Sequence, residues 1–151
     1  MKRSSGILMH ISSLPSPYGI GTFGRAAYAF ADFLADAGQS YWQMLPLGPT
    51  GYGDSPYQCA SAYAGNPYFI DLDLLIEDGL LEADAVRAID WGNDAQRVDY
   101  GRIFENRRKI LYQAFLRGRE RDRAAVSAFR REQADWLEGY ALFLSLIHIS
   151  E

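Results

Sequence analysis

The chain has 151 residues, 48% of them hydrophobic and 23% charged, enough for one domain of ordinary globular composition. A net charge of −4 and a pI near 5.2 argue against a general nucleic-acid or membrane-surface partner. One cysteine, Cys59, excludes an intrachain disulfide and fits a reducing compartment, while ten tyrosines leave a tyrosine-rich core and a recognition surface both open.

"MKRSSGILMHISSLPSPYG" has two basic residues, but its apolar run breaks too soon for a signal peptide, and nothing in the chain is long enough to span a bilayer. A cytoplasmic location is the expectation. "GILMHI" (6–11) predicts a short buried strand, followed by the loop "SSLPSPYGIGTFG" (12–24), dense in Ser, Pro and Gly. Ala26, Phe30, Phe33, Leu34 and Ala37 then share one helical face, with Thr22 as a candidate N-cap and Gly38 as the stop. "YWQMLPL" (41–47) predicts a second strand, and its continuous apolar character suits a parallel sheet covered on both faces.

Residues 6–47 therefore read as one strand–helix–strand unit of an α/β fold, with a crossover long enough for a parallel pair. In such folds ligands bind beyond the carboxyl ends of the strands. That places "GPTGYGDSPYQ" (48–58) where a ligand would sit. The loop continues through "CASAYAGNPYFIDLDLL", and its length marks it as functional or disordered. Tyr52, Tyr57, Tyr63, Tyr68 and Phe69 argue against disorder. "LLIEDGLL" (74–81) predicts a short helix, 82–100 an acidic connection, and 102–117 and 121–146 two helices. Ten of the fifteen basic residues lie between Arg102 and Arg131, and they read as a solvated helix face in preference to a nucleic-acid stripe.

Chemistry-bearing residues are few. His10 and His148 have no metal-ligand spacing, and no G-x-S-x-G elbow or P-loop is present. "GIGTFG" (19–24) does not match the dinucleotide fingerprint and follows a proline-rich loop. Neither a metal nor a cofactor is expected. Asp54 could be one carboxylate of a sugar-cleaving pair, but an Asp in "YGDSPY" more often forms a turn; Asp71 and Asp73 read as caps of the helix after them. A tyrosine ring suits a pyranose, with its apolar face and polar rim, and the prolines and glycines would hold such rings still. An Ω-loop packed on its own tyrosines fits these residues equally well.

"YWQMLPLGPTGYGDSPYQ" followed by "SAYAGNPYFIDL", together with "ILMHISSLPSPYGIGTFG", "RVDY" (97–100) and "WLEGYALF" (136–143), resembles the amylomaltase family, the bacterial 4-α-glucanotransferases. The resemblance reaches to about Leu144. It implies the N-terminal part of a (β/α)8 TIM barrel over residues 1–81 and the start of an inserted helical subdomain over 82–144. The implied activity is transfer of an α-1,4-glucan segment between maltooligosaccharides by a retaining double displacement without a cofactor. Tyr57 would pack on the sugar at the cleavage point, with Asp54, Ser55 and Gln58 holding the loop or touching nearby hydroxyls. Tyr52 would belong to a second glucan groove, whose other aromatic falls at Phe104, a ring without the usual hydroxyl.

The family polypeptide is considerably longer, and its catalytic carboxylates lie outside this stretch, so no catalytic residue is named. An α-glucan hydrolase of the same barrel class and a non-catalytic glucan-binding fragment are the alternative functions. A partial barrel is expected to expose sheet edges and helix faces, leaving the chain unstable or aggregation-prone on its own. Residues 145–151, "SLIHISE", depart from the family pattern and read as a foreign junction, with a divergent terminus as the alternative.

Overall fold

The computed structural model describes residues 3–94 and 96–147; His148 and residues 149–151 of the atypical tail lie outside them. The chain runs β1 (Gly6–Leu8), α1 (Arg25–Asp36), β2 (Tyr41–Gln43), α2 (Leu72–Glu77), α3 (Ala83–Arg87), α4 (Tyr100–Gly118), α5 (Arg123–Glu132) and α6 (Ala134–Ile147). Single 3₁₀ turns occur at Ile11–Ser13, Pro56–Gln58 and Pro67–Phe69. The described residues form two compact units, one ending at Ala114 and one starting at Phe115.

In the first unit, β1 and β2 pair in parallel with Gly6 opposite Tyr41, Ile7 opposite Trp42 and Leu8 opposite Gln43. Met9 adds one more rung to the Gln43 carbonyl at 3.0 Å. Both strands are shorter than the apolar runs predict. The chain turns at Ile11 into the 3₁₀ turn, which ends the ladder, and Pro46 has no N–H to extend it. Ile7, Leu8 and Tyr41 are exposed, so the covering on both faces that the apolar runs predict is not provided by the described residues.

Helix α1 crosses between the strands as predicted, and the chain leaves it through Gly38 at φ +68°. Its N-cap is Gly24, not Thr22. The Thr22 hydroxyl instead donates to the carboxylate of Asp71, 49 residues further along the chain, and not to its own helix. On the predicted apolar face Leu34 is buried, and Phe30 packs edge-on against Trp42 at 4.9 Å, but Phe33 is 61% exposed.

The core is built largely from loop residues. Ile11, Leu14, Tyr18 and Ile20 pack with Phe69, Leu72, Val86, Trp91 and the inner face of α4. Asp71 caps α2 by accepting from the Leu74 N–H at 3.0 Å, while the Asp73 carboxylate accepts from the Tyr18 hydroxyl. Burial, helped by that bond to Asp73, pushes the Tyr18 hydroxyl up to about 12.

Within the basic stretch the solvated-face reading fails at one residue. Arg107 is fully buried; it donates to the Ile70 carbonyl at 2.7 Å and lies 5.6 Å from the Trp91 ring centre. Burial pulls its guanidinium down to about 10, against the nearby Asp71 charge. Two further readings change. Residues 82–100 contain the short helix α3, and the single helix predicted over 121–146 is two. The break comes at Gln133, which leaves helical geometry (φ −109°, ψ 19°) and accepts the Trp136 indole N–H on its side-chain oxygen at 2.8 Å.

Candidate functional site

The loop 48–58 leaves the carboxyl end of β2 and is tied down at both ends. The Asn66 N–H donates to the Leu47 carbonyl at 2.8 Å, closing the base of the excursion. Ser61 Oγ accepts from the Tyr63 and Ala64 N–H groups, and the Asn66 side chain accepts from the Tyr68 N–H at 2.9 Å. These local bonds supply the backbone partners that a sheet or helix would otherwise provide.

Two residues set the loop's direction. Gly53 (φ +96°) and Asp54 (φ +53°) both take the left-handed backbone conformation, and Asp54 is the one residue other than glycine to do so among those described. Asp is among the few side chains that visit this region readily. The Asp54 N–H closes a turn on the Gly51 carbonyl at 3.1 Å, so Asp54 takes part in a turn through its backbone. Ser55 then leads, in extended geometry, into the Pro56–Gln58 turn, which the Gln58 N–H closes on the Ser55 carbonyl at 3.0 Å.

The loop presents two faces. Tyr52, at its tip, is fully exposed; Tyr57 and Gln58 are exposed on the 3₁₀ turn, and Tyr57 keeps 72% of its surface in solvent. A loop packed on its own tyrosines would bury these rings, and it does not. Asp54 and Ser55 are half-buried. Asp54 lines a cavity of about 160 Å³ together with His10, Ser12, Thr50, Asn66 and Tyr100. Burial raises the Asp54 carboxyl above the usual carboxylate range and lowers the His10 imidazole. The Tyr68 and Tyr100 hydroxyls are raised first by burial and then by the Asp54 charge. The His10 ring stands edge-on to Phe69 at 5.3 Å.

The structure thus brings Tyr52, Asp54, Ser55, Tyr57 and Gln58 together on one loop. Phe104 is carried separately on α4, its ring 57% exposed. Asp71 and Asp73 are occupied in holding α2 and Tyr18. Sequence reading passed over Thr50, Tyr100 and Arg107. Tyr100 closes the quoted "RVDY" motif, a signal that marked the spot without assigning the ring a task; a lone Thr in a glycine-rich loop and one Arg among ten basic residues carried no signal. Among the described residues no cluster of three or more His, Cys, Asp or Glu could hold a metal ion, and no helix is long and apolar enough to cross a membrane.

Residues 9–151 match the glycoside hydrolase 77 family, 4-alpha-glucanotransferase. The chain belongs to this family. It is 52% identical over 138 residues to the 4-alpha-glucanotransferase of Clostridium butyricum, covering 91% of this chain and 28% of that protein. With the Thermus thermophilus 4-alpha-glucanotransferase it shares 51% identity over 150 residues, 97% of this chain and 29% of the relative. A solved amylomaltase from Streptococcus agalactiae, in complex with acarbose, superposes with a TM-score of 0.89 at 49% identity, over 96% of this chain and 30% of that one. The chain therefore spans less than a third of the length of these 4-alpha-glucanotransferases. The family match opens at Met9, the residue that ends the strand ladder, and takes in the whole of the loop and its cavity.

Proposed function

We propose that the chain is the N-terminal part of an amylomaltase, a 4-α-glucanotransferase that moves α-1,4-glucan segments between maltooligosaccharides. The observation that carries this reading is the outward face of the loop. Tyr57 and Tyr52 stand exposed on a backbone fixed by two left-handed residues, a proline-led turn and the bond that closes its base. A ring held still in solvent gains nothing for folding, whereas it offers a pyranose a stacking surface whose ordering cost is already met. Tyr57 is the ring at the cleavage point, Ser55 and Gln58 flank it, and Tyr52 with Phe104 forms a second contact for a longer glucan.

The parallel pair β1–β2 supports a place as the first strands of a (β/α)8 barrel, with residues 1–81 in the barrel and 82–144 in a helical insertion. The carboxylates of the retaining mechanism, a nucleophile and a general acid, come from polypeptide beyond this stretch. No cofactor enters that chemistry. The lone thiol of Cys59 suits action in the cytoplasm.

The test is made on the full-length polypeptide with maltotriose. Disproportionation is expected to yield glucose plus a ladder of longer maltooligosaccharides. Glucose and maltose alone would make the protein a hydrolase. Tyr57→Ala is expected to lower kcat/KM by about 10- to 100-fold. An unchanged value would remove Tyr57 from the site.

A further inference from the structure

The inward face of the loop borders a cavity that the glucan reading does not use. His10 Nδ1 and Thr50 Oγ1 are buried and have no hydrogen-bond partner in the protein. Both side chains line the cavity that Asp54 also lines. Buried polar atoms without a partner are rare and costly, and two of them facing one cavity of mixed lining call for a small ligand that can donate and accept at once. The other lining groups suit such a ligand: the Asn66 amide and the Ser12 and Tyr100 hydroxyls. Size narrows the choice. A cavity of about 160 Å³ is below the roughly 300 Å³ at which ligand pockets begin, yet holds a few waters at about 30 Å³ each.

We propose that this cavity is a binding site for ordered water, through which His10 and Thr50 hold the Asp54 side chain inward, making Asp54 a residue that positions Tyr57 and does not itself touch the sugar. The backbone transmits the constraint. Asp54 is fixed in the left-handed region, Ser55 is extended, and the ring of Pro56 locks the turn that carries Tyr57. Few free torsions separate the inward carboxyl from the outward ring. Asp54 and His10 are each half-buried, and the burial that raises the Asp54 carboxyl and lowers the His10 imidazole fits a shared cavity partly closed to solvent. The water site stands on the cavity alone; its consequence for Tyr57 rests on the glucan-binding role proposed above.

Two experiments test it. A crystal structure at a resolution that shows waters is expected to place ordered waters within hydrogen-bond distance of His10 Nδ1, Thr50 Oγ1 and the Asp54 carboxyl. A dry cavity, or an Asp54 carboxyl turned to solvent, overturns the proposal. The second is a double-mutant cycle on maltoheptaose binding by the full-length protein. Thr50→Val and Asp54→Asn are each expected to weaken binding about fivefold, and that loss should vanish when Tyr57 is already Ala. A loss that persists in full beside Tyr57→Ala shows a direct sugar contact and overturns the positioning role. If Tyr57→Ala leaves binding unchanged, the glucan reading of the loop fails, and the water site is then decided by the crystal structure.

Discussion

The two units solve the problem of burying apolar surface in different ways. Up to Ala114 the core is assembled by loops: Ile11, Leu14 and Ile20 are nearly sealed from solvent although none lies in a regular strand or α-helix. The Leu14 N–H closes a turn on the Ile11 carbonyl, and elsewhere in the loops backbone groups are met by Asn66 and by a buried arginine on the Ile70 carbonyl. From Phe115 onward the described residues form regular helices, yet none of their large apolar side chains is buried. Val126 is 53% exposed, and Leu142 is 61% exposed on a helix that is apolar around most of its surface. Regular secondary structure and a buried core are thus separate achievements. A helix satisfies its own backbone wherever it forms, whereas a loop can stay in one conformation only when its surroundings hold it.

The same substitution made in both units should separate them most sharply. An added Cβ at Gly21 would stand 2.0 Å from the Ile11 carbonyl oxygen and 2.8 Å from that of Leu14, both backbone atoms with no freedom to swing away. Gly21→Ala is expected to cost roughly 3 kcal/mol in urea unfolding. A cost below about 1 kcal/mol would mean that the loop core yields easily and would break the contrast.

Tyr18 gives a middle-sized effect with a definite pH dependence. At neutral pH, Tyr18→Phe loses the bond to the Asp73 carboxylate and is expected to cost about 1.5–3 kcal/mol. In the folded protein the hydroxyl ionises near 12 instead of near 10. Between these values the unfolded chain releases a proton that the folded chain keeps, so the wild type loses stability as pH rises through the window. The deficit of Tyr18→Phe should therefore shrink by up to about 2–3 kcal/mol from pH 10 to pH 12. Arg107, pulled down to about 10, acts in the opposite direction there, since the unfolded chain holds its proton longer. It is present in both proteins, and only its coupling to the Tyr18 charge, which raises it, enters their difference. Urea unfolding of the pair at several pH values checks the sign; a deficit independent of pH would place the Tyr18 hydroxyl in solvent.

The smallest effect belongs to the second unit. Gly139 lies within α6, and a Cβ added there meets nothing within 4 Å. Gly139→Ala is expected to stabilise the helix by about 0.5–1 kcal/mol, seen as slower amide exchange across 134–147 and no change in the first unit. Slowing in both units would show that they open together.

Much of the outline was legible in the residues themselves. Apolar runs at 6–11 and 41–47 with a helical period between them carry the parallel strand–helix–strand unit, because period and run length follow from backbone geometry alone. Proline and glycine spacing in "GPTGYGDSPYQ" likewise marks a rigid turn, and chain direction places it beyond the strand ends. Other features depend on partners far along the chain. Thr22 looks like a helix cap until Asp71 claims its hydroxyl. Arg107 looks like one more surface charge until Trp91 and Ile70 enclose it. Gln133 breaks a helix that periodicity alone would continue.

For the candidate site the division runs through a single loop. Local chemistry determined that the loop would turn sharply, that Asp54 would form a turn and that tyrosines would be plentiful on it, since those follow from φ preferences and composition. Which way each side chain faces was decided only by tertiary structure. Asp54 lines a cavity shared with His10 and Ser12, from the first strand's exit, and Tyr100, at the start of α4, whereas Tyr57 three residues on stays exposed.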